Sequence, residues 1–105
     1  MSYDISLTQI VTEEKEVADI GNYTYNISPM YQKAMNISLY NFDGMKASEA
    51  IDILQKGLID MTNNSLEYEK LNPENGWGDY QGAMNYLSKL LVECRKHPHS
   101  TIHVY

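Results

Sequence analysis

The chain is short of cysteine, of basic residues and of long apolar runs, and each shortage closes off a class of protein. A single cysteine, Cys94, cannot build an internal disulfide framework. Eight Lys and Arg stand against fourteen Asp and Glu, for a net charge of −6. That balance argues against general nucleic-acid binding, whose affinity comes from neutralising phosphates. No apolar run approaches the ~20 residues of a membrane span, and Met1–Ile10 lacks the basic and apolar regions of a secretory signal. A cytoplasmic setting is therefore expected, with Cys94 kept as a thiol. Four Asn-x-Ser/Thr triplets, at Asn22, Asn26, Asn36 and Asn63, read as glycosylation acceptors. Without secretion they are accidents of Asn and Ser abundance. There is also no nucleophile elbow, P-loop, dinucleotide fingerprint or His-Glu-x-x-His, and no internal repeat.

What is present is ordinary globular material. The 105 residues are 43% hydrophobic and 21% charged, which excludes intrinsic disorder. That length suits one domain over residues 1–105. Area scaling gives about 6,000 Å² folded against about 17,500 Å² unfolded, enough burial for one core without staples.

Tyr3, Ile5, Leu7 and Val11 alternate with Asp4, Ser6 and Thr8, the period-two pattern of a half-buried strand. Glu13-Glu14-Lys15-Glu16 reads as a polar turn. A second short extended segment is expected through Val17, Ile20 and Tyr23, interrupted by the turn signal Gly21-Asn22. Ser28-Pro29 starts a helix: Ser is a good N-cap, and Pro suits the first helical position, where its missing N–H costs nothing. That helix ends near Asn36, before the turn Asn41-Phe42-Asp43-Gly44. Ala47, Ala50, Ile51, Leu54, Leu58 and Met61 keep helical spacing, so a helix is expected over Met45–Met61. Gly57 inside it points to close packing, because Gly costs about 1 kcal/mol against Ala there. Asn64 with Glu67 resembles a capping box opening a short helix through Lys70.

Asn72–Gly78 is a loop, and Asp79 or Gly78 caps the last long helix. Its apolar face is Tyr80, Ala83, Met84, Leu87, Leu90, Leu91 and Cys94. Arg95, Lys96 and His97 favour the dipole at its end, and Pro98 stops it. Thr101–Tyr105 alternates again, with Ile102 and Val104 inward. The expected fold is α+β: a small sheet formed by the N- and C-terminal strands, packed against two long helices and one or two short ones. Its open edges make a homodimer an expectation.

Three kinds of chemistry are conceivable. Cys94, His97, His99 and His103 lie within ten residues and are weak metal-ligand candidates. The expectation is no metal, since Cys94 falls on an apolar stripe and His103 opposite Ile102 and Val104. No cofactor is expected either. Catalysis needs an acid–base pair, and nothing in the sequence pairs Asp43, Glu74 or Asp79, so the chain is read as a non-enzyme. A carboxylate and a His, or two carboxylates, within reach in one pocket would reverse that. The third candidate is a polar, aromatic surface on two segments. One holds Asn22, Tyr23, Thr24, Tyr25, Asn26, Ser28 and Tyr31; the other holds Asn75, Trp77, Asp79 and Tyr80. Both combine amides, aromatic rings and a helix start. The two segments are expected to meet in space, in one wall around two helix N-termini.

The same segments carry a resemblance. NYTYNISPMYQKA, FDGMKASEAIDIL and LNPENGWGDYQGAMNYLSKLLVECRKHP, in this order, resemble a group of small uncharacterised proteins of bacteriophages and prophages. The likeness spans about Gly21 to Tyr105. This chain departs from it with Tyr31 where Trp is frequent, and in its N-terminal strand. The resemblance implies an accessory protein working in a bacterial host cell. Joined to the polar, aromatic surface, it gives an expected binding protein for a small polar, nucleotide-like ligand. The alternative is an acidic inhibitor of a host defence or regulatory protein, of anti-CRISPR type, its charge matched to a basic partner surface.

Overall fold

The computed structural model describes residues 2–10 and 13–105. Two strands open it, β1 (Ser2–Ile10) and β2 (Glu14–Thr24), followed by a 3-10 turn (Tyr25–Ile27) and helix α1 (Ser28–Met35). A second 3-10 turn (Leu39–Phe42) leads to α2 (Ala47–Asn63), α3 (Ser65–Glu69), α4 (Tyr80–Lys96) and β3 (Thr101–Val104). The sheet is antiparallel, in the order β2-β1-β3, so the terminal strands pair as the alternating patterns predict.

Alternation decides which face of β1 is covered. Tyr3, Ile5 and Leu7 are fully buried, while Asp4 and the flanking Ser2 are exposed. Ile5 lies opposite Val104 and Leu7 opposite Ile102, so both strands turn their apolar side to the helices. Each such aliphatic side chain contributes roughly 1.5–3 kcal/mol by leaving water. Val11, also read as inward, lies outside the described residues. Leu54, Met61, Leu87 and Leu90 complete the core from α2 and α4. Two tyrosines pin the layers: the Tyr86 hydroxyl donates to the Gly21 carbonyl at 2.9 Å, and the Tyr31 hydroxyl to the Ala83 carbonyl at 2.8 Å.

β2 corrects two expectations. Glu14–Glu16 is strand, not turn, and Gly21-Asn22 is not a break. Gly21 carries φ +82° inside the strand, beside an irregularity where Ile20 is left unpaired. A left-handed residue here bends the strand as a bulge does, which lets Ile20 stay buried. Turn-forming residues were therefore absorbed into a bent strand.

The helix boundaries shift by a residue or two. Ile27, not Ser28, is the N-cap position of α1, and it offers no side-chain cap. Asn36 ends that helix in the left-handed region at φ 60°. Asp79, not Gly78, caps α4, accepting from the Gly82 N–H at 2.7 Å. The capping box expected at Asn64 does not form. Its amide donates instead to the Asp60 carbonyl and carboxylate, both at 3.1 Å, one turn back.

The outer edge of β3 is closed. Gly44 N–H donates to the Ile102 carbonyl at 2.8 Å, and Ile102 N–H to the Met45 carbonyl at 2.9 Å. The Asp43 carboxylate takes the Val104 N–H at 2.9 Å. Of the two edges expected to be open, only that of β2 remains so among the described residues, and it carries Glu14, Lys15, Glu16 and Asp19.

Candidate functional site

The two Asn- and aromatic-rich segments do meet, through backbone and small groups. A Cβ added at Gly78 would stand 2.5 Å from Thr24 Cγ2 and 3.0 Å from Ile27 Cγ2. The Tyr23 hydroxyl accepts from the Asp79 N–H at 3.1 Å. This approach explains Gly78, which also has φ +93°, while Gly76 is set by its own left-handed φ of +74°.

Most of the polar groups there serve the loop itself. The Asn75 carboxamide oxygen accepts from the Trp77 N–H at 3.0 Å, and that of Asn72 from the Tyr80 N–H at 2.8 Å. The Thr24 hydroxyl accepts from the Asn26 N–H at 3.2 Å. Tyr80 donates to the Met61 carbonyl at 2.7 Å, fixing the loop to the end of α2. Asn22 and Asn26 are exposed, and the Trp77 ring is 69% exposed. Tyr31 is a correction: it is fully buried with its hydroxyl satisfied, so it belongs to the core and meets no ligand.

Tyr25 and Ser28 line a different feature. With Pro29, Gln32 and Ser38 they form a cleft of about 250 Å³ between the start of α1 and the second 3-10 turn. The Tyr25 ring also clusters with those of Tyr3 and Tyr40, with centroids 5.5 Å (Tyr3–Tyr25), 5.1 Å (Tyr3–Tyr40) and 6.0 Å (Tyr25–Tyr40) apart. The Tyr3 hydroxyl is the one buried side-chain polar atom without a hydrogen-bond partner among the described residues. Burial raises its pKa to about 12, opposed by the facing hydroxyls of Ser38 and Ser28. A small rotation of either serine side chain supplies the missing bond. An orphaned hydroxyl costs about 1–3 kcal/mol, so native chains almost always satisfy it.

The sequence pointed to Tyr25 and Ser28 but not to Tyr3, Gln32 or Ser38. One signal existed. Alternation places Tyr3 inward, and an inward tyrosine must find a partner for its hydroxyl.

A second cleft, of about 290 Å³, lies at the far end of the sheet, lined by Thr8, Gln9, Ile10, Glu14, His99, Thr101 and His103. The Thr8 hydroxyl is 2.7 Å from His103 Nε2, and Glu14 Oε1 is 3.6 Å from the same nitrogen. A carboxylate and a histidine therefore share a pocket, the arrangement the sequence did not reveal. Its geometry falls short of a nucleophile–base relay. There the third group orients the ring through its other nitrogen, whereas Thr8 and Glu14 compete for one.

The metal candidates scatter. Cys94 is buried in the core, where desolvation, with the neighbouring Glu93, raises its thiol pKa to about 12. His97 ends α4 with Nε2 3.7 Å from Glu93 Oε2, while His99 and His103 face the sheet-end cleft. Among the described residues no three His, Cys, Asp or Glu side chains gather to hold an ion. No described helix is long and apolar enough to cross a membrane. Comparison with protein-family models, with curated proteins and with solved structures found no match.

Proposed function

We propose that this chain is a non-catalytic binding protein for a small polar ligand, held in the cleft of Tyr25, Ser28, Pro29, Gln32 and Ser38. The supporting observation is the grouping in that cleft of an exposed aromatic ring, Tyr25, with the side-chain hydroxyls of Ser28 and Ser38 and the carboxamide of Gln32. A small-molecule site combines apolar walls with a few convergent polar groups. The cleft is smaller than the ~300 Å³ at which drug-sized pockets begin, so the ligand is small. The resemblance to small phage and prophage proteins suggests an accessory role in an infected bacterial cell.

Native mass spectrometry of the protein purified from such a host tests this. A retained small molecule, lost when Gln32→Trp fills the cleft, is the expected result. A protein that carries no small molecule and co-purifies with a basic host protein overturns it. That outcome would favour the second reading, an inhibitor docking its acidic face on a host defence or regulatory protein. Its support is the exposed row Glu14, Glu16 and Asp19 on the open β2 edge.

A further inference from the structure

The helices cover one face of the sheet and leave the other open. Register divides the strand residues between the two faces. Opposite the buried Tyr3, Ile5 and Leu7, β1 presents Asp4, Ser6 and Thr8, and β2 sets Asn22, Asp19 and Glu16 beside them. Glu14 follows beside Ile10, and His103 of β3 lies beside Ser6. Asp4, Glu14, Glu16 and Asp19 thus share the open face, and all four are exposed. None of them pairs with Lys or Arg among the described residues. Six of the eight Lys and Arg lie on or at the ends of helices, and Lys15 has the register of the covered face. Lys46 stands at the far edge beside Thr101, three strand spacings or roughly 14 Å from Glu16. A solvated face needs only polar groups, and mixing the two signs avoids self-repulsion. This face instead gathers one sign.

It also carries apolar surface. The His103 and Tyr105 rings stack at 14° with centroids 6.3 Å apart, and Tyr105 is 70% exposed. Ile10, at the other end of β1, is 74% exposed, and the cleft of Glu14 and His103 is cut beside it. These features together select a partner. Guanidinium meets carboxylate through two parallel hydrogen bonds and stacks on aromatic rings, which ammonium does less well. Alternate residues of an extended chain are roughly 6.6 Å apart, matching Glu14 and Glu16 along β2.

We infer that the open sheet face docks an extended, arginine-rich segment of a protein partner. Its guanidinium groups meet Asp4, Glu16 and Asp19, and one stacks on Tyr105. This deepens the second reading above and shares no residue with the small-ligand cleft, so either site can fail alone.

The test is an NMR titration of the whole chain, at physiological salt, with a peptide of alternating Arg and Ser, its Lys counterpart and spermidine. The expected result is that the arginine peptide shifts the amides of Asp4, Glu16, Asp19, His103 and Tyr105 and binds tightest of the three. Asp4→Asn/Glu16→Gln/Asp19→Asn should weaken it about tenfold. Asp19→Asn keeps the oxygen that accepts from the Gly21 N–H, so the strand is preserved. Tyr105→Ala should weaken it about threefold. Asp52→Asn/Glu69→Gln/Glu74→Gln removes as much charge from exposed positions outside the sheet. Charges beyond ~8 Å are largely screened, so this variant should change binding less than about twofold. An equal loss in both triple variants overturns the inference, since net charge alone then drives binding. Spermidine or the lysine peptide binding as tightly at the same amides also overturns it. If no probe shifts these amides, the docking face falls and the small-ligand cleft stands on its own test.

Discussion

Tyr23 and Asp79 hold each other twice: the Tyr23 hydroxyl accepts from the Asp79 N–H at 3.1 Å and donates to the Asp79 carbonyl at 3.4 Å. A β-strand residue thereby fixes the N-cap of the last helix. Tyr23→Phe keeps the ring packing on Tyr86 (5.6 Å between centroids) and removes only the hydroxyl. Water reaches this junction and replaces part of the loss, so the expected cost is about 1 kcal/mol. A thermal melt should fall by about 4–8 °C.

The two left-handed glycines of the 72–78 loop separate backbone strain from crowding. Gly76 has φ +74° with nothing within 4 Å of an added Cβ, while Gly78 has φ +93° and a Cβ position 2.5 Å from Thr24. Gly76→Ala bears the left-handed cost alone, about 1–2 kcal/mol. Gly78→Ala adds a clash of roughly 1–3 kcal/mol. Denaturant midpoints of the two variants should therefore differ clearly, with Gly78→Ala the less stable.

Asp43 closes the last backbone donor of β3 through Val104. A hydrogen bond to a charged group contributes about 1.5–3 kcal/mol. Asp43→Ala should cost about that much and speed hydrogen exchange at the Val104 amide. Asp43→Asn keeps an acceptor oxygen and should recover most of the loss.

Alkali should unfold the protein earlier than exposed tyrosines alone would suggest. Burial raises the Cys94 thiol from 9.0 to about 12 and the Tyr3 phenol from 10.0 to about 12. Tyr31, Tyr68 and Tyr86 are raised as well, desolvation being the largest cause in each. A group with a raised folded pKa stabilises fully below its unfolded pKa and stops doing so as pH climbs to the folded one. Stability should thus decline from about pH 9 to about pH 12. Tyrosinate absorbance should then show an early phase from exposed rings and a late one coinciding with loss of helix. Native Cys94 should resist alkylation until that second phase.

The strands at both ends and the helices between them were legible because burial follows period two or helical spacing along each. β2 was not, because Gly21-Asn22 carries a turn signal that tertiary packing of Ile20 and Tyr86 overrides. The Asn64 capping box failed for a similar reason: the side chain has two competing oxygens on Asp60 one turn back. The sequence grouped Tyr23, Tyr25, Ser28 and Trp77 as one surface. Folding sends Tyr23 to α4 and Tyr25 to the Tyr3–Tyr40 cluster, because a 3-10 turn begins immediately after Thr24. Ser38, distant in sequence and unremarkable in type, joins the cleft only through that second packing.

β1 lies in the middle of the sheet, yet its partner β3 follows it at a distance of 95 residues, as the Thr8–His103 pair records. One side of the β1 backbone has no strand to pair with until β3 reaches it. Closing so long a loop is slow and leaves an unpaired strand that other chains can meet. The sheet is therefore complete only when four residues, Thr101–Val104, reach a strand far from them in sequence.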